Sequence, residues 1–286
     1  MVKRRDYSED IVEAARSVQL EVIRILGEYQ ENIVIVGGWV PELLIPNAEE
    51  THIGSSDVDL ALDHRRITEA GYQTIREHLL SHGYEQGEQP FSFQRTVLKE
   101  DREIQVDVHF LAGEYSGTGK SHRTQKVLDM QPRKARGVDL AFEMPQKIKI
   151  RGSLPDGGID VVEIQVASMP SFLVMKGMAL KDRLKEKDAS DIYYCLRYYP
   201  GGAEKLIEEF RQMLEHGLVT EALGNIAEKF ASPTAVGPTH VADFDEIVDV
   251  SEREFIQRDA YERIKYLLEE LGIGFPENPS NTTSRG

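Results

Sequence analysis

Ser55-Ser56-Asp57-Val58-Asp59-Leu60-Ala61-Leu62-Asp63 is the stretch on which the fold turns. Read as a strand, it puts Asp57, Asp59, Ala61 and Asp63 on one face and Val58, Leu60 and Leu62 toward a core. Two carboxylates one pleat apart can hold a pair of divalent cations, the centre of a site for in-line phosphoryl or nucleotidyl transfer. Upstream, the apolar run Ile33-Val34-Ile35-Val36 ends in Gly37-Gly38. Glycines there let the backbone approach a phosphate and offer it amides. Taken alone, Asp-x-Asp is also common on surface strands, and either glycine separately reads equally well as a tight turn. It is the two features together that point to phosphate chemistry.

A second strand, 103–111, repeats the pattern. Ile104, Val106, Val108 and Phe110 share one face, with Gln105, Asp107 and His109 on the other. Neighbouring strands lining one site would look like this. Asp107 is the third carboxylate, placed either to bridge a metal or to take a proton from an attacking hydroxyl. The alternative is a simple exposed strand residue. His109 reads as a hydrogen-bonded bystander, and Asp63, at the far strand end, as a supporting or solvent-exposed residue. Beyond this strand, Gly113 to Ser121 invites a phosphate-loop reading, but the register fails. Five residues, not four, separate Gly113 from Gly119, and Glu114 stands where glycine is required. The segment 113–126 is better read as a flexible loop at an active-site mouth, with Lys120 or Arg123 near an acceptor.

Around these strands the periodicity predicts helices at 7–29 (Ser8 as its cap), 40–45 and 67–81, the last stopped by Gly83. Strands are expected at 32–36 and 91–98, and strand-like pieces at 138–143, 147–151 and 159–166. After Ser168-Met169-Pro170 helical spacing dominates, with helices at 171–183, 187–199, 202–215, 218–230 and about 245–271. The domains expected are therefore 1–167, mixed α and β, and 168–274, helical. A frayed tail, 275–286, follows.

Composition narrows the function classes. A net charge of −15 weighs against non-specific binding to nucleic-acid backbone, although Lys120–Arg136 and Met175–Asp188 are locally basic. No apolar run approaches the roughly 20 residues of a membrane helix. The single cysteine, Cys195, excludes an intramolecular disulfide and fits a reducing cytoplasm. Among aromatics on a helix it reads as a buried, inert thiol.

A last constellation lies in the helical part, from Lys176 to Tyr193. Lys176 and Arg183 are seven residues apart on one helix face, and Asp188 and Asp191 share a face of the next helix. A salt-bridged helical hairpin explains any one of these residues. The whole set, with Gly-Gly-Trp, Ser-Asp-x-Asp-Leu and Val-Asp-Val before it, resembles the AbiEii-type nucleotidyltransferases. These belong to the polymerase-β-like superfamily and include toxins of type IV toxin–antitoxin pairs. The similarity runs over roughly residues 30–200.

The resemblance implies an α+β fold, a polymerase-β-like nucleotidyltransferase mixed sheet with flanking helices followed by a C-terminal helical domain. It implies that Gly37, Gly38 and Ser56 line the nucleotide, that Asp57 and Asp59 bind Mg²⁺, and that Asp107 fills the third carboxylate position. Lys176 and Arg183 would contact the nucleotide, and Asp191 would lie near the acceptor or base. Two departures stand out: Gly37-Gly38 replaces the Gly-Ser of many members, and the interval to Asp57 is longer than usual. The activity implied is transfer of an NMP from an NTP, with two Mg²⁺, to a tRNA or protein acceptor, with an antitoxin protein as partner. Antibiotic-modifying relatives suggest instead a small hydroxyl compound of the aminoglycoside type. A third reading is a catalytically inactive module working through an antitoxin-like partner, against which the retained carboxylates speak.

Overall fold

A computed structural model of the chain describes residues 3–99, 101–113 and 132–275. Helix α1 (Glu9–Ile25) passes through a 3-10 turn (Gly27–Asn32) into strand β1 (Ile33–Val36). Next come α2 (Trp39–Leu44), β2 (Val58–Leu62), α3 (Glu69–Ser81), β3 (Glu85–Gln86), β4 (Ser92–Lys99), β5 (Arg102–Ala112) and β6 (Arg133–Lys134). A 3-10 turn (Val138–Phe142) precedes the hairpin of β7 (Gln146–Ser153) and β8 (Ile159–Val166). Helices α4 (Met169–Asp182), α5 (Glu186–Tyr198), α6 (Gly202–Arg211), α7 (Gly217–Lys229), α8 (Val236–Phe244) and α9 (Val250–Glu270) follow. This is the α+β class that the sequence predicts, a mixed sheet with flanking helices and then helices alone.

The strands form one sheet in the order β3-β4-β5-β2-β1-β8-β7, with β6 also paired to β5. Pairing is parallel between β1 and β8 and between β2 and β5, and antiparallel between β1 and β2, β4 and β5, and β7 and β8. Val58, Leu60, Val106, Val108, Phe110 and Phe93 are fully buried. They lie on the face covered by α1, which packs against β4, β5, β7 and β8. Two ion pairs fix α1 there, Glu21 with Arg95 of β4 at 3.0 Å and Arg24 with Asp160 of β8 at 2.8 Å. Strand alternation then turns Asp59, Asp107 and His109 to the opposite face.

The chain divides into two compact units, 5–175 and a second made of 1–4 with 176–286, the division falling inside α4. The sheet occupies the first. In the second, α5 packs against α8 and α9, and α6 and α7 pack against α9. The segment 113–126, after its first residue, and the tail, after Phe275, lie outside the described residues.

The structure corrects several expectations. Residues 138–143 alternate like a strand, but Gly137 at φ +85° turns the chain, and Ser171 Oγ donates to the Leu140 carbonyl at 2.8 Å. A ladder bond is thereby replaced by a side-chain bond, and the segment curls into a 3-10 turn. Helix α1 stops at Ile25 because Gly27 opens the 3-10 turn behind it. Ser8 holds its N-cap position without a side-chain hydrogen bond, whereas Gly83, at φ +80°, follows the end of α3 as expected. Helix α8 has no counterpart in the sequence reading, since Gly237 and Pro238 look like breakers. Both fall in its first turn, where proline's missing N–H costs nothing.

Where α4 meets α7, a Cβ on Gly177 would lie 2.6 Å from the Ala222 carbonyl oxygen. Backbone cannot yield as a side chain can, so overpacking at about 1–3 kcal/mol outweighs a helix-propensity gain of roughly 1 kcal/mol. Gly177→Ala should lower the melting temperature, and an unchanged or higher value would refute this packing.

Candidate active site

The register between β1 and β2 builds the site from the backbone outward. Val36 lies opposite Asp59, so the chain leaving β1 at Gly37 passes directly over that carboxylate. A Cβ on Gly37 would run into the Asp59 carboxylate as it stands, and the residue sits at φ +71°. Space and backbone conformation therefore both demand glycine at this position. Gly38 is buried at the start of α2, and Trp39 behind it is 1% exposed. The Trp39 indole N–H donates to the Asp57 carbonyl oxygen at 2.7 Å, tying the β1 turn to the entry of β2.

Asp57 and Asp59 flank the first residue of β2, and both side chains are partly exposed. Ser55 Oγ donates to Asp57 Oδ1 at 2.5 Å and orients it. Ser56, beside it, is partly exposed. On β5, His109 lies directly opposite Asp59 in the parallel register. Its Nδ1 is 3.4 Å from Asp59 Oδ1 and 3.9 Å from Asp57 Oδ2. Contact with Asp59 raises the His109 pKa from its ordinary value; burial opposes the rise, and the Asp59, Asp57 and Asp107 charges reinforce it.

Ligand atoms of Asp57, Asp59 and His109 lie within 4.8 Å of one another, so this group can hold a metal ion. Two carboxylate oxygens and an imidazole nitrogen, partly open to solvent, fit a divalent cation with positions left for further ligands. The third donor is thus the histidine that sequence reasoning set aside. Asp107 lies one pleat back on the same face, where Gln94 Nε2 donates to its Oδ1 at 2.9 Å. The alternation already put His109 on the face of Asp107; what it lacked was the β2–β5 register, without which nothing in the sequence could say which of the two lies beside Asp59. Asp63 has a structural task of its own. It is 5% exposed, accepts from the Arg65 backbone N–H at 3.0 Å and pairs with both the Arg65 and Arg66 guanidinium groups.

The remaining predicted residues form a separate cluster within the helical unit. Lys176 Nζ lies 2.6 Å from Asp188 Oδ1 and 2.7 Å from Asp191 Oδ2. Lys187 Nζ reaches Asp191 Oδ1 at 2.8 Å, and Arg183 Nε reaches Asp188 Oδ2 at 2.9 Å. Asp188 and Asp191 are 2% and 1% exposed. The Arg183 side chain is 43% exposed and brings this network to the surface. Burial favours neutral Lys176, but the two aspartates overcome it and raise its pKa; the same burial opposes, and Lys176 with Arg183 overcomes, to lower that of Asp188. Cys195 is fully buried, and burial pushes its thiol well up, as expected of an inert cysteine.

No family model and no curated protein matches the chain. Two solved structures are similar to it, both from Helicobacter pylori and both 12% identical. JHP933 matches at a TM-score of 0.42 over 93% of this chain and 94% of its own. A protein provisionally named a nucleotidyltransferase matches at 0.45 over 93% of this chain and 97% of its own. Similarity at this level transfers neither family nor function. No helix among the described residues is long and apolar enough to cross a membrane.

Two measurements check this geometry. An NMR titration should find His109 above its ordinary pKa of about 6.5, and Asp59→Asn should bring it down; a His109 indifferent to that change would break the contact. Removing one partner of a buried ion network costs about 3–5 kcal/mol, and Lys176→Met should cost that much in denaturant unfolding at pH 7. Because the Asp188 pKa is depressed on folding, its contribution is present above the ordinary carboxylate pKa and lost as pH falls through the folded value. The gap between wild type and variant should therefore narrow in acid, and a gap that widens would contradict the assignment.

Proposed function

We propose that this chain is a metal-dependent nucleotidyltransferase of the AbiEii type, moving an NMP from an NTP to an acceptor hydroxyl. The observation that carries the proposal is the donor set itself. Asp57, Asp59 and His109 converge on one sheet face, with a side-chain-free Gly37 held against Asp59. A glycine turn beside a partly exposed carboxylate pair brings backbone rather than side chain to the edge of the site, as a phosphate-binding turn would.

A divalent cation bound there supplies Lewis-acid stabilisation of phosphate charge and activates a hydroxyl nucleophile. The chain's own residues do the rest. Ser55 holds Asp57 in one orientation, and the Trp39 bond to the Asp57 carbonyl fixes the backbone beneath it. Gly37 and Gly38 are assigned to the triphosphate because they bring backbone, not side chain, to its edge, and Ser56 is assigned to the same nucleotide. Asp107, steadied by Gln94, is the carboxylate available to take the acceptor's proton. By resemblance Lys176 is a phosphate contact and Asp191 lies near the acceptor. Both are buried partners of an ion network here, and Arg183 is its exposed cation. The acceptor proposed is a tRNA end or a protein, in keeping with toxin-type relatives, with Mg²⁺ as the expected cation class. An aminoglycoside-like hydroxyl compound is the alternative that the acidic composition favours.

The test is incubation of purified protein with each α-³²P-labelled NTP, a divalent cation and in turn total tRNA, cell protein and an aminoglycoside panel. Label should move to one acceptor class and vanish in Asp57→Ala/Asp59→Ala, a loss of at least about a thousandfold if the carboxylates carry the catalytic charge. Absence of cation-dependent nucleotide binding in the wild type would sink the transferase reading and favour an inactive module.

A further inference from the structure

We infer that His109 is a direct metal ligand and that it tunes the centre to Mn²⁺ over Mg²⁺. The inference rests on reading Asp57 and Asp59 as metal-binding carboxylates, and it concerns which cation they share.

The backbone leaves little freedom in the matter. β2 and β5 run parallel with Asp59 opposite His109, so the two side chains project from adjacent strands on one face. Adjacent donors around an octahedral cation at roughly 2.1 Å lie about 3 Å apart. His109 Nδ1 is 3.4 Å from one carboxylate oxygen and 3.9 Å from the other, close to that spacing. A cation between the three atoms therefore needs small side-chain adjustments and no change of strand register. Asp107 stands one pleat from His109, level with Asp57 in the same register, and is engaged by Gln94; among the described residues it is His109 whose ligand atom gathers with those of the aspartate pair within 4.8 Å.

Donor chemistry then selects the ion. Mg²⁺ is hard, favours an all-oxygen octahedron and gives up water reluctantly. Mn²⁺ takes the same octahedral, oxygen-rich arrangement but, as a softer first-row transition ion, gains more than Mg²⁺ from an imidazole among its ligands. Zn²⁺ also accepts imidazole and carboxylate, usually in a four-coordinate site, so the comparison that isolates the histidine is the one between the two octahedral ions. Three protein ligands on a partly open face leave three octahedral positions, enough for phosphate oxygens and water. An imidazole beside two carboxylates in such a site favours Mn²⁺ over Mg²⁺.

The experiment needs no nucleotide and no acceptor. Full-length protein is loaded with Mn²⁺ alone, and electron spin echo modulation is recorded on natural-abundance and [¹⁵N]histidine-labelled samples. Coupling to ¹⁴N, converted to ¹⁵N by the label and lost in His109→Asp, is the expected result. Calorimetry should show Mn²⁺ binding about tenfold or more tighter than Mg²⁺ in the wild type, an advantage that His109→Asp reduces to about twofold as oxygen replaces nitrogen. Mn²⁺ bound without histidine nitrogen coupling, or equal affinity for the two ions in the wild type, would overturn the inference and leave the carboxylate site standing. Failure of both ions to bind would overturn the inference and the carboxylate site together.

Discussion

The parallel pairing of β2 with β5 is the constraint on which the site depends. Parallel neighbours in one sheet place residues of matching parity on the same face, and here the match is Asp59 with His109 and Val58 with Val108. Slipping the register by one residue would send Asp59 into the face covered by α1 and a valine out to solvent. The burial of Val58, Leu60, Val106, Val108 and Phe110 therefore fixes the register, and the register places the polar donors. Apolar packing on one side of the sheet holds the charged chemistry on the other. The α1 ion pairs at Arg95 and Asp160 secure the cover that makes this burial complete.

Gly37 adds a second, independent constraint from β1. Positive φ alone could be met by asparagine at modest cost, but a side chain here would displace the Asp59 carboxylate from its present position. The β1–β2 ladder, which sets Val36 opposite Asp59, and the Trp39 bond to the Asp57 carbonyl hold the β1 turn and the start of β2 as one piece. Preorganisation of this kind matters for a metal site, because carboxylates that must be gathered on binding lose affinity to ordering.

Much of this was legible in the sequence because it is local. The alternation at 57–63 and 103–111 identified two half-buried strands and the face bearing Asp57, Asp59, Asp107 and His109. What stayed hidden depended on pairing. Whether Asp107 or His109 stands beside Asp59 is a question of register between strands some 40 residues apart, which no local pattern encodes. The same reasoning explains the turn at Val138–Phe142, whose strand-like alternation is overridden by Gly137 and by a hydroxyl from Ser171, 31 residues away. Helix α8 was hidden for the opposite reason. Its breakers are real, but they occupy the one turn where a helix tolerates them.

The Lys176 cluster shows how charge alone can mislead about accessibility. In the sequence, five cations between Met175 and Asp188 look like a basic surface track. In the structure two of them, Lys176 and Lys187, are 8% and 6% exposed and are spent on Asp188 and Asp191. Burying two carboxylates is costly unless strong partners surround them, and two ammonium groups with a guanidinium meet that demand. Such a network defines the α4–α5 corner and tolerates the loss of any member poorly. The exposed cations of the segment are Arg183, paired with Asp188, Lys181, paired with Glu221 at 3.2 Å, and Lys185, so the lysine most prominent in the motif is not among those at the surface. A phosphate reaching Lys176 would have to compete with aspartates at 2.6 and 2.7 Å, so the motif's lysine meets an outside anion only if this buried network rearranges.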